Sequence, residues 1–550
     1  MPAIARSLST SLSHRLELSA IFILGLLIRI TFIYLHPPIY GGDTLVRVMN
    51  ADRILLAYQL PLLQLFIYLV NLVSSDPLLI RYLMSLFGAL AGTAFYLLSA
   101  TLLDRLAARL ASLFFVFSPF LIVHSIVPYQ EILMLLTLCL GLHFLLSPDL
   151  PGSLPGYVSA GIYTSPGGDR QRSIGWASLL LGLACLTRYE AWVINAAAGL
   201  YYARVRFKTR SFLSCLRLLI RTGALFGWAP LLWIVLNHGI SPQGTYVLEG
   251  AATWERLWRI PYVTAMALYH AGPVVSILAG LGLLTFWNAS LWRKREIQMI
   301  LASASFLLLS LVFSAHGVGP DPQRYVTDRE AHWFVLFPFW LAALGMSSLK
   351  QRLMTWSELS KPSNRFGNLG AVSYYLLLAL AAVWGTFQTD RYIKRLLLDQ
   401  NLNVDYAVVQ HLERKLPHGS TALIFAQPLP PDATQGYLDK VYSQGGTAAL
   451  DTARRQLADL NSGPLDYSRI VVNTGLGKNR ILDASKLAVN ASDTGQYLAK
   501  NRVRLAVVFS NYPAQDLTTR HLLDYIRQSG EHQATLEERG LLVSIYEVRF

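Results

Sequence analysis

The chain has 550 residues, 53% of them hydrophobic and only 15% charged, with a mean hydropathy of +0.39. Those values exclude an ordinary soluble enzyme and point to a protein that crosses a membrane many times. The formal charge of +14 sits in short basic clusters between apolar segments, a membrane-topology pattern that argues against a nucleic-acid partner, and Cys139, Cys185 and Cys215 match neither a zinc site nor a CxxC redox pair.

The N-terminal stretch Arg6 to Arg15 leads into an apolar run from Leu16 to Leu35, long enough to cross about 30 Å of hydrocarbon. No small-residue cleavage site follows, so it reads as an uncleaved first span. Further apolar runs give about eleven spans, centred near Ile28, Leu90, Phe115, Leu138, Leu181, Ala197, Phe226, Leu278, Leu308, Trp340 and Leu380. Between the first two, Pro61-Leu62-Leu63-Gln64-Leu65-Phe66 is apolar but short before Ser74-Ser75-Asp76-Pro77, and reads as an interfacial helix. The stretch Asn237 to His270 reads as a second long external region, with Tyr246, Trp254, Trp258 and Tyr262 suited to the headgroup boundary.

Alternate loops carry roughly eighteen and roughly eight basic residues, and the richer side, which includes the N-terminus, is expected in the cytoplasm. An odd number of spans then leaves the tail outside. Residues 1–389 read as a transmembrane body and 390–550 as an extracytoplasmic domain. In that tail, strand-like runs at Thr421 to Phe425, Ile470 to Asn473, Leu505 to Phe509 and Leu541 to Val548 alternate with helical stretches. About 160 residues are enough for one soluble α/β domain.

Several ionisable residues fall at the expected outer ends of spans. Placing such groups in hydrocarbon costs about 2.5 to 3.5 kcal/mol each on insertion scales, so their position needs a physical account. Asp43, in Tyr40-Gly41-Gly42-Asp43, follows the first span; taken alone, a turn acid capping a short helix accounts for it. Glu131 opens the apolar run to Leu146, where favourable interaction with the helix dipole is the plain alternative. Arg188 and Glu190 lie in a tight connection between two apolar segments, where a mutual salt bridge is the alternative. A last loop holds Arg324, Asp328, Arg329, Glu330 and His332. Arginine forks there suit two phosphate oxygens, and local ion pairs in a solvated loop are the alternative.

The order of these features resembles the GT-C superfamily of integral-membrane glycosyltransferases. An acid follows the first span, Pro61-Leu62-Leu63 precedes the second, and Ser125 to Glu131 precedes the fourth. Leu183-Ala184-Cys185-Leu186-Thr187-Arg188-Tyr189-Glu190 is similar to a recurrent LAxLTRxEG segment, with Ala191 in place of the glycine. Asp328-Arg329-Glu330-Ala331-His332-Trp333 is similar in spacing to a His-Lys-Glu-x-Arg-Phe motif, with only Glu330 identical. The resemblance implies inverting transfer of a sugar from a polyprenyl-phosphate donor to a glycan, lipid or protein acceptor hydroxyl, at the outer face of the cytoplasmic membrane. It implies Asp43 as catalytic base and a place for Glu131 in the catalytic site, where it orients the acceptor, acts as a second base or holds an arginine in place. Arg188, Glu190, Arg324, Arg329, Glu330 and His332 then form the substrate-binding set.

No Asp-x-Asp cluster is present and a monophosphate donor carries little charge to neutralise, so no cofactor and no obligatory metal are expected. A polytopic transporter is the alternative from another class, with charge pathways at the midplane and repeated halves. A non-catalytic envelope scaffold is a third.

Overall fold

The computed structural model describes residues 2–36, 44, 47–48, 50–55, 59–74, 76–147, 168–207, 212–238, 259–313, 331–359, 376, 379–380, 383–385, 387–393, 403–417, 419–425, 481–484, 494–509, 517–538 and 541–548. In chain order the helical body comprises α1 (Pro2–Leu35), α2 (Pro61–Val73), α3 (Pro77–Leu102), α4 (Arg105–Phe117), α5 (Pro119–Val123), α6 (Gln130–Leu146) and α7 (Gly168–Cys185). It continues with α8 (Glu190–Arg206), α9 (Phe212–His238), α10 (Arg259–Ala271), α11 (Pro273–Asn288), α12 (Arg295–Phe313), α13 (Ala331–Phe334) and α14 (Leu336–Leu359). Every span centre read from the sequence, from Ile28 to Trp340, falls in one of these helices, and Leu380 is itself helical.

By length and apolar composition, four described helices can cross a membrane: Arg15–Leu35, Leu78–Leu102, Leu213–Leu236 and Ala331–Gln351. The pair α10–α11, bent by 115°, makes a fifth if counted as one span. Helix α10 falls within the stretch Asn237 to His270, which the sequence reads as an external region. Of that stretch, residues 237–238 end α9 and residues 259–270 lie in α10, which runs into an elbow, whereas Tyr246, Trp254 and Trp258 lie outside the described residues.

Local sequence sets the breaks. Asp76 caps α3 by accepting from the Leu78 amide at 2.9 Å, and Pro77 occupies the first turn, where no amide is needed. Asp104 caps α4 through the amides of Leu106 and Ala107 at 2.9 and 3.0 Å. Ser118-Pro119 ends α4, because the residue before proline is steered out of helical conformation, and starts the short α5. At the elbow, Gly272 takes φ +87°, a left-handed value that a side chain would oppose, and Pro273 restarts the chain as α11.

Packing is closest where glycine removes the side chain. A Cβ on Gly282 of α11 would lie 1.6 Å from the Leu341 carbonyl oxygen of α14, and one on Gly345 would lie 2.4 Å from the Leu278 carbonyl oxygen. At one end of the bundle, Glu17 of α1 accepts from Arg105 at 3.1 Å, from Tyr96 at 2.8 Å and also from Arg109. This joins the N-terminal helix to the basic start of α4, two segments the sequence assigns to one side. The apolar core of the body runs from Phe32 to Ile393.

The C-terminal portion has its own framework: α15 (Asn403–Lys415), β1 (Thr421–Phe425), β2 (Ile481–Asp483), α16 (Thr494–Lys500), β3 (Val503–Phe509), α17 (Leu517–Ser529), β4 (Glu531–Glu538) and β5 (Leu541–Glu547). The strands form one sheet in the order β2-β1-β3-β5-β4, parallel across β2, β1 and β3 and antiparallel across β3, β5 and β4. All five residues of β1 are buried. Ala422 and Ile424 face a core with Val408 and Leu412 of α15, while Leu423 and Phe425 face Leu498 of α16 and Leu522 and Ile526 of α17. Two covered faces explain why β1 reads as a continuous apolar run. The expected strand at Ile470 to Asn473 lies outside the described residues; β2 and β4 were not expected.

Candidate functional site

The site is built on the segment between α5 and α6, residues 124 to 129, which folds as tight turns. The Ser125 amide donates to Ile122, the Ile126 amide to Val123 and the Tyr129 amide to Val127, at 3.1, 3.1 and 2.7 Å. Three buried arginines hold this segment and the first residue of α6. Arg29 of α1 donates from Nε to Ser125 Oγ at 2.5 Å and from Nη1 to its own helix at Gly25 O, 2.9 Å. Arg81 of α3 donates to Ile126 O at 3.2 Å and to His36 O at 3.1 Å, past the end of α1. Arg47 donates to Gln130 Oε1 at 2.5 Å, and its own carbonyl accepts from Gln64 of α2 at 3.2 Å.

The next residue, Glu131, is fully buried in the first turn of α6 and pairs with Arg188 Nη1. Arg188 also donates from Nε to Glu190 Oε2 at 2.9 Å, and its Nη2 meets Glu190 Oε1. The salt bridge left open as an alternative is therefore present, and Glu131 joins it. Arg188 is a cation shared by two carboxylates, with its side chain only 12% exposed. A group so engaged is less suited to hold a lipid phosphate than a free arginine fork.

The loop carrying Arg188 is fixed in turn. Thr187 donates to Ala184 O, the Trp192 indole donates to Cys185 O at 2.8 Å, and the Trp233 indole donates to the Tyr189 hydroxyl at 3.1 Å. The Leu62 amide, at the start of α2, reaches Leu186 O at 3.0 Å. Thus Pro61-Leu62-Leu63, the TRYE segment and Glu131, far apart in sequence, form one structural junction.

His332 is fully buried on α13 and lies in an aromatic cluster. Its ring centroid is 4.2 Å from Phe120 and 4.6 Å from His124; His124 is 4.6 Å from Tyr129, and His270 of α10 stacks on Phe120 at 4.1 Å. The cluster links His332 through His124 and Tyr129 to the start of α6. His124 Nδ1 lies 2.8 Å from Phe120 O, which fixes that nitrogen as the donor. Among the described residues, no group of three or more His, Cys, Asp or Glu side chains is arranged to hold a metal ion.

Beside this cluster opens a groove of about 770 Å³ between the α4–α5 break, the α10–α11 elbow and the helical residues 384–385 and 387–392. Phe117, Leu268, Val274 and Trp384 line its apolar part, whereas Ser118, His270, Gln388, Arg391 and Tyr392 supply polar groups. Such a volume lies in the range of small-molecule pockets, about 300 to 1,000 Å³.

Asp43, Arg324, Arg329 and Glu330 lie outside the described residues. Sequence reading missed Arg29, Arg47, Arg81, His124 and His270. A signal existed for Arg29 and Arg81, each a lone charge within an apolar run, a placement that marks functional positions in membrane segments. His124 and His270 carry no such signal, because single histidines in apolar helices are common packing residues.

No family model matches the sequence, and no curated protein matches it. Among solved structures, the chain is similar to ArnT from Cupriavidus metallidurans bound to undecaprenyl phosphate, at 13% identity over 96% of this chain and 97% of that one, with a TM-score of 0.47. It is also similar to the oligosaccharyltransferase AglB from Archaeoglobus fulgidus in complex with an inhibitory peptide and a dolichol-phosphate, at 14% identity over 96% and 74% of the two chains, with a TM-score of 0.42.

Proposed function

We propose that the protein is an inverting glycosyltransferase that moves a sugar from a polyprenyl-phosphate donor to an acceptor hydroxyl at the outer face of the cytoplasmic membrane. The observation that carries this reading is the pairing of an amphiphilic groove with a buried carboxylate junction, joined by one short segment. The groove offers apolar walls to an isoprenoid chain and polar groups at Gln388, Arg391 and Tyr392 to a headgroup. Through Phe120, His124 and Tyr129 the same segment continues to Glu131. A solvent-filled transport path needs no such lipid-sized recess.

In the proposed reaction the acceptor oxygen attacks the anomeric carbon. The carbon–oxygen bond to the phosphate breaks, its electron pair leaves with the polyprenyl phosphate, and the hydroxyl proton passes to Asp43. A positioned base typically contributes about 10²- to 10⁴-fold. Arg324 and Arg329 stabilise the growing phosphate charge with donors fixed in advance. His332 supports that region from the aromatic cluster, and Glu330 holds the neighbouring arginines. Arg188, given its two carboxylate partners, holds Glu131 and Glu190 in register rather than binding phosphate.

We infer further that about eleven spans carry this chemistry, that the N-terminus is cytoplasmic and the sheet-bearing tail extracytoplasmic, and that no metal is required. The test is turnover by the full chain in proteoliposomes, with undecaprenyl-phosphate-linked hexoses and pentoses as donors, envelope lipid extract as acceptor and release of undecaprenyl phosphate as the readout. Asp43→Asn should lower turnover at least about tenfold without loss of insertion. Unchanged turnover removes Asp43 from the base role, and loss in EDTA restored by a single divalent cation rejects metal independence.

A further inference from the structure

Arg29 is the least expected side chain in the body. It is fully buried, six residues before Leu35 at the end of α1, hence about 9 Å along the helix from that end. A charge there adds no stability that an apolar residue of similar size would not match, since replacing buried ionic groups by packed apolar ones is often neutral or favourable. Its contacts are instead specific. Nε meets Ser125 Oγ at 2.5 Å, and Ser125 Oγ donates onward to Leu121 O and Ile122 O at 2.7 and 2.9 Å.

Space for this contact is kept by Gly88 of α3, where a Cβ would come within 2.3 Å of Arg29 Nε and 2.4 Å of Ser125 Cβ. Two turns earlier on the same helix, Arg81 holds the next residue, Ile126. Arg47 holds Gln130, so the chain is pinned at Ser125, Ile126 and Gln130 immediately before Glu131.

We infer that Arg29 and Ser125 are a positioning pair: from within the helical bundle they set the height and rotation of the segment that delivers Tyr129 and Glu131 to the site. The inference rests on the glycosyl-transfer reading above. Neither residue touches substrate. They act through the turn geometry of residues 125–130, where a displacement of about 1 Å at a reacting group can cost about a hundredfold in rate.

The experiment uses the full chain in proteoliposomes with the same undecaprenyl-phosphate-linked donors. Turnover is read with KM, alongside undecaprenyl phosphate binding by native mass spectrometry and thermal stability. Ser125→Ala, which removes only a hydroxyl, is expected to lower kcat at least about tenfold while binding stays within about twofold. Ser125→Thr, which keeps the hydroxyl, should return kcat to within about threefold of the parent. Gly88→Ala should reproduce the Ser125→Ala effect, and Arg29→Met combined with Ser125→Ala should be no worse than the more damaging single change, as for groups acting as one unit. Parent-like kcat in Ser125→Ala and Gly88→Ala overturns the inference, and so does a loss of kcat matched by equal losses of binding and stability. If the parent protein releases undecaprenyl phosphate from none of the donors, the glycosyl-transfer reading fails and takes the inference with it.

Discussion

Removing Arg188 tests the central junction most directly. Glu131 is fully buried, and the Glu190 side chain is only 20% exposed, so Arg188→Met leaves two carboxylates facing an uncharged side chain. Breaking a buried ion pair from one side costs about 3 to 5 kcal/mol, whereas replacing both partners by apolar groups is often neutral or favourable. Arg188→Met should therefore destabilise by about 3 kcal/mol or more, and adding Glu131→Leu to it should recover at least about half of that loss. Glu190→Gln keeps a neutral hydrogen-bonding group at the more exposed end and should cost about 1 kcal/mol. Reversible unfolding in mixed micelles, followed by tryptophan fluorescence, supplies the cycle, since Trp192 and Trp233 are bonded into the junction. If Arg188→Met unfolds within about 0.5 kcal/mol of the parent, or if the double variant is as damaged as the sum of the two single ones, the shared-cation reading is wrong.

Gly282→Ala should separate α11 from α14, because a carbon 1.6 Å from the Leu341 carbonyl oxygen must move to a contact distance of about 3.3 Å or more; a parent-like melting temperature in detergent would refute this. Asp104→Ala removes the side-chain cap from the amides of Leu106 and Ala107 and should cost about 1 kcal/mol, against a near-neutral Asp104→Asn. Burial and then the Lys415 ammonium push His411 below the ordinary imidazole value. The unfolded chain consequently takes up a proton that the folded one resists, so α15 should lose hydrogen-exchange protection as pH falls below about 6.5 and regain it at higher pH. After correction for intrinsic exchange rates, a pH-independent protection of α15, or one unaltered by His411→Leu, would contradict that sign.

Apolar runs made the helices legible, because a span of the right length leaves a plain signature around Leu90, Phe226 and Trp340. Apolar runs do not report bends. The α10–α11 elbow depends on one left-handed glycine, and Tyr262, read as a headgroup-boundary aromatic of an external region, lies on the helix that leads into it. In the tail, Thr421 to Phe425 was readable since both faces of β1 are covered; β4, Glu-His-Gln-Ala-Thr-Leu-Glu-Glu, was hidden because it ends the described sheet order and its side chains are mostly polar. At the site, Glu131, Arg188 and Glu190 stood out as charges between apolar segments, and they do meet. Their grouping around a single cation, and the arginines bracing Ser125, Ile126 and Gln130, depend on contacts between residues up to 96 positions apart. A linear pattern carries no record of such encounters.

The bend at Gly272 is tied by its own groups: the Gly272 amide reaches Leu268 O and Tyr269 O, the Ser276 amide returns to Gly272 O, and the Ser276 hydroxyl closes on Leu268 O. Those bonds answer part of the demand that a chain bend makes among acyl chains, where water cannot serve the backbone. On the glycosyl-transfer reading proposed above, an isoprenoid donor would come alongside Phe120 by way of this corner.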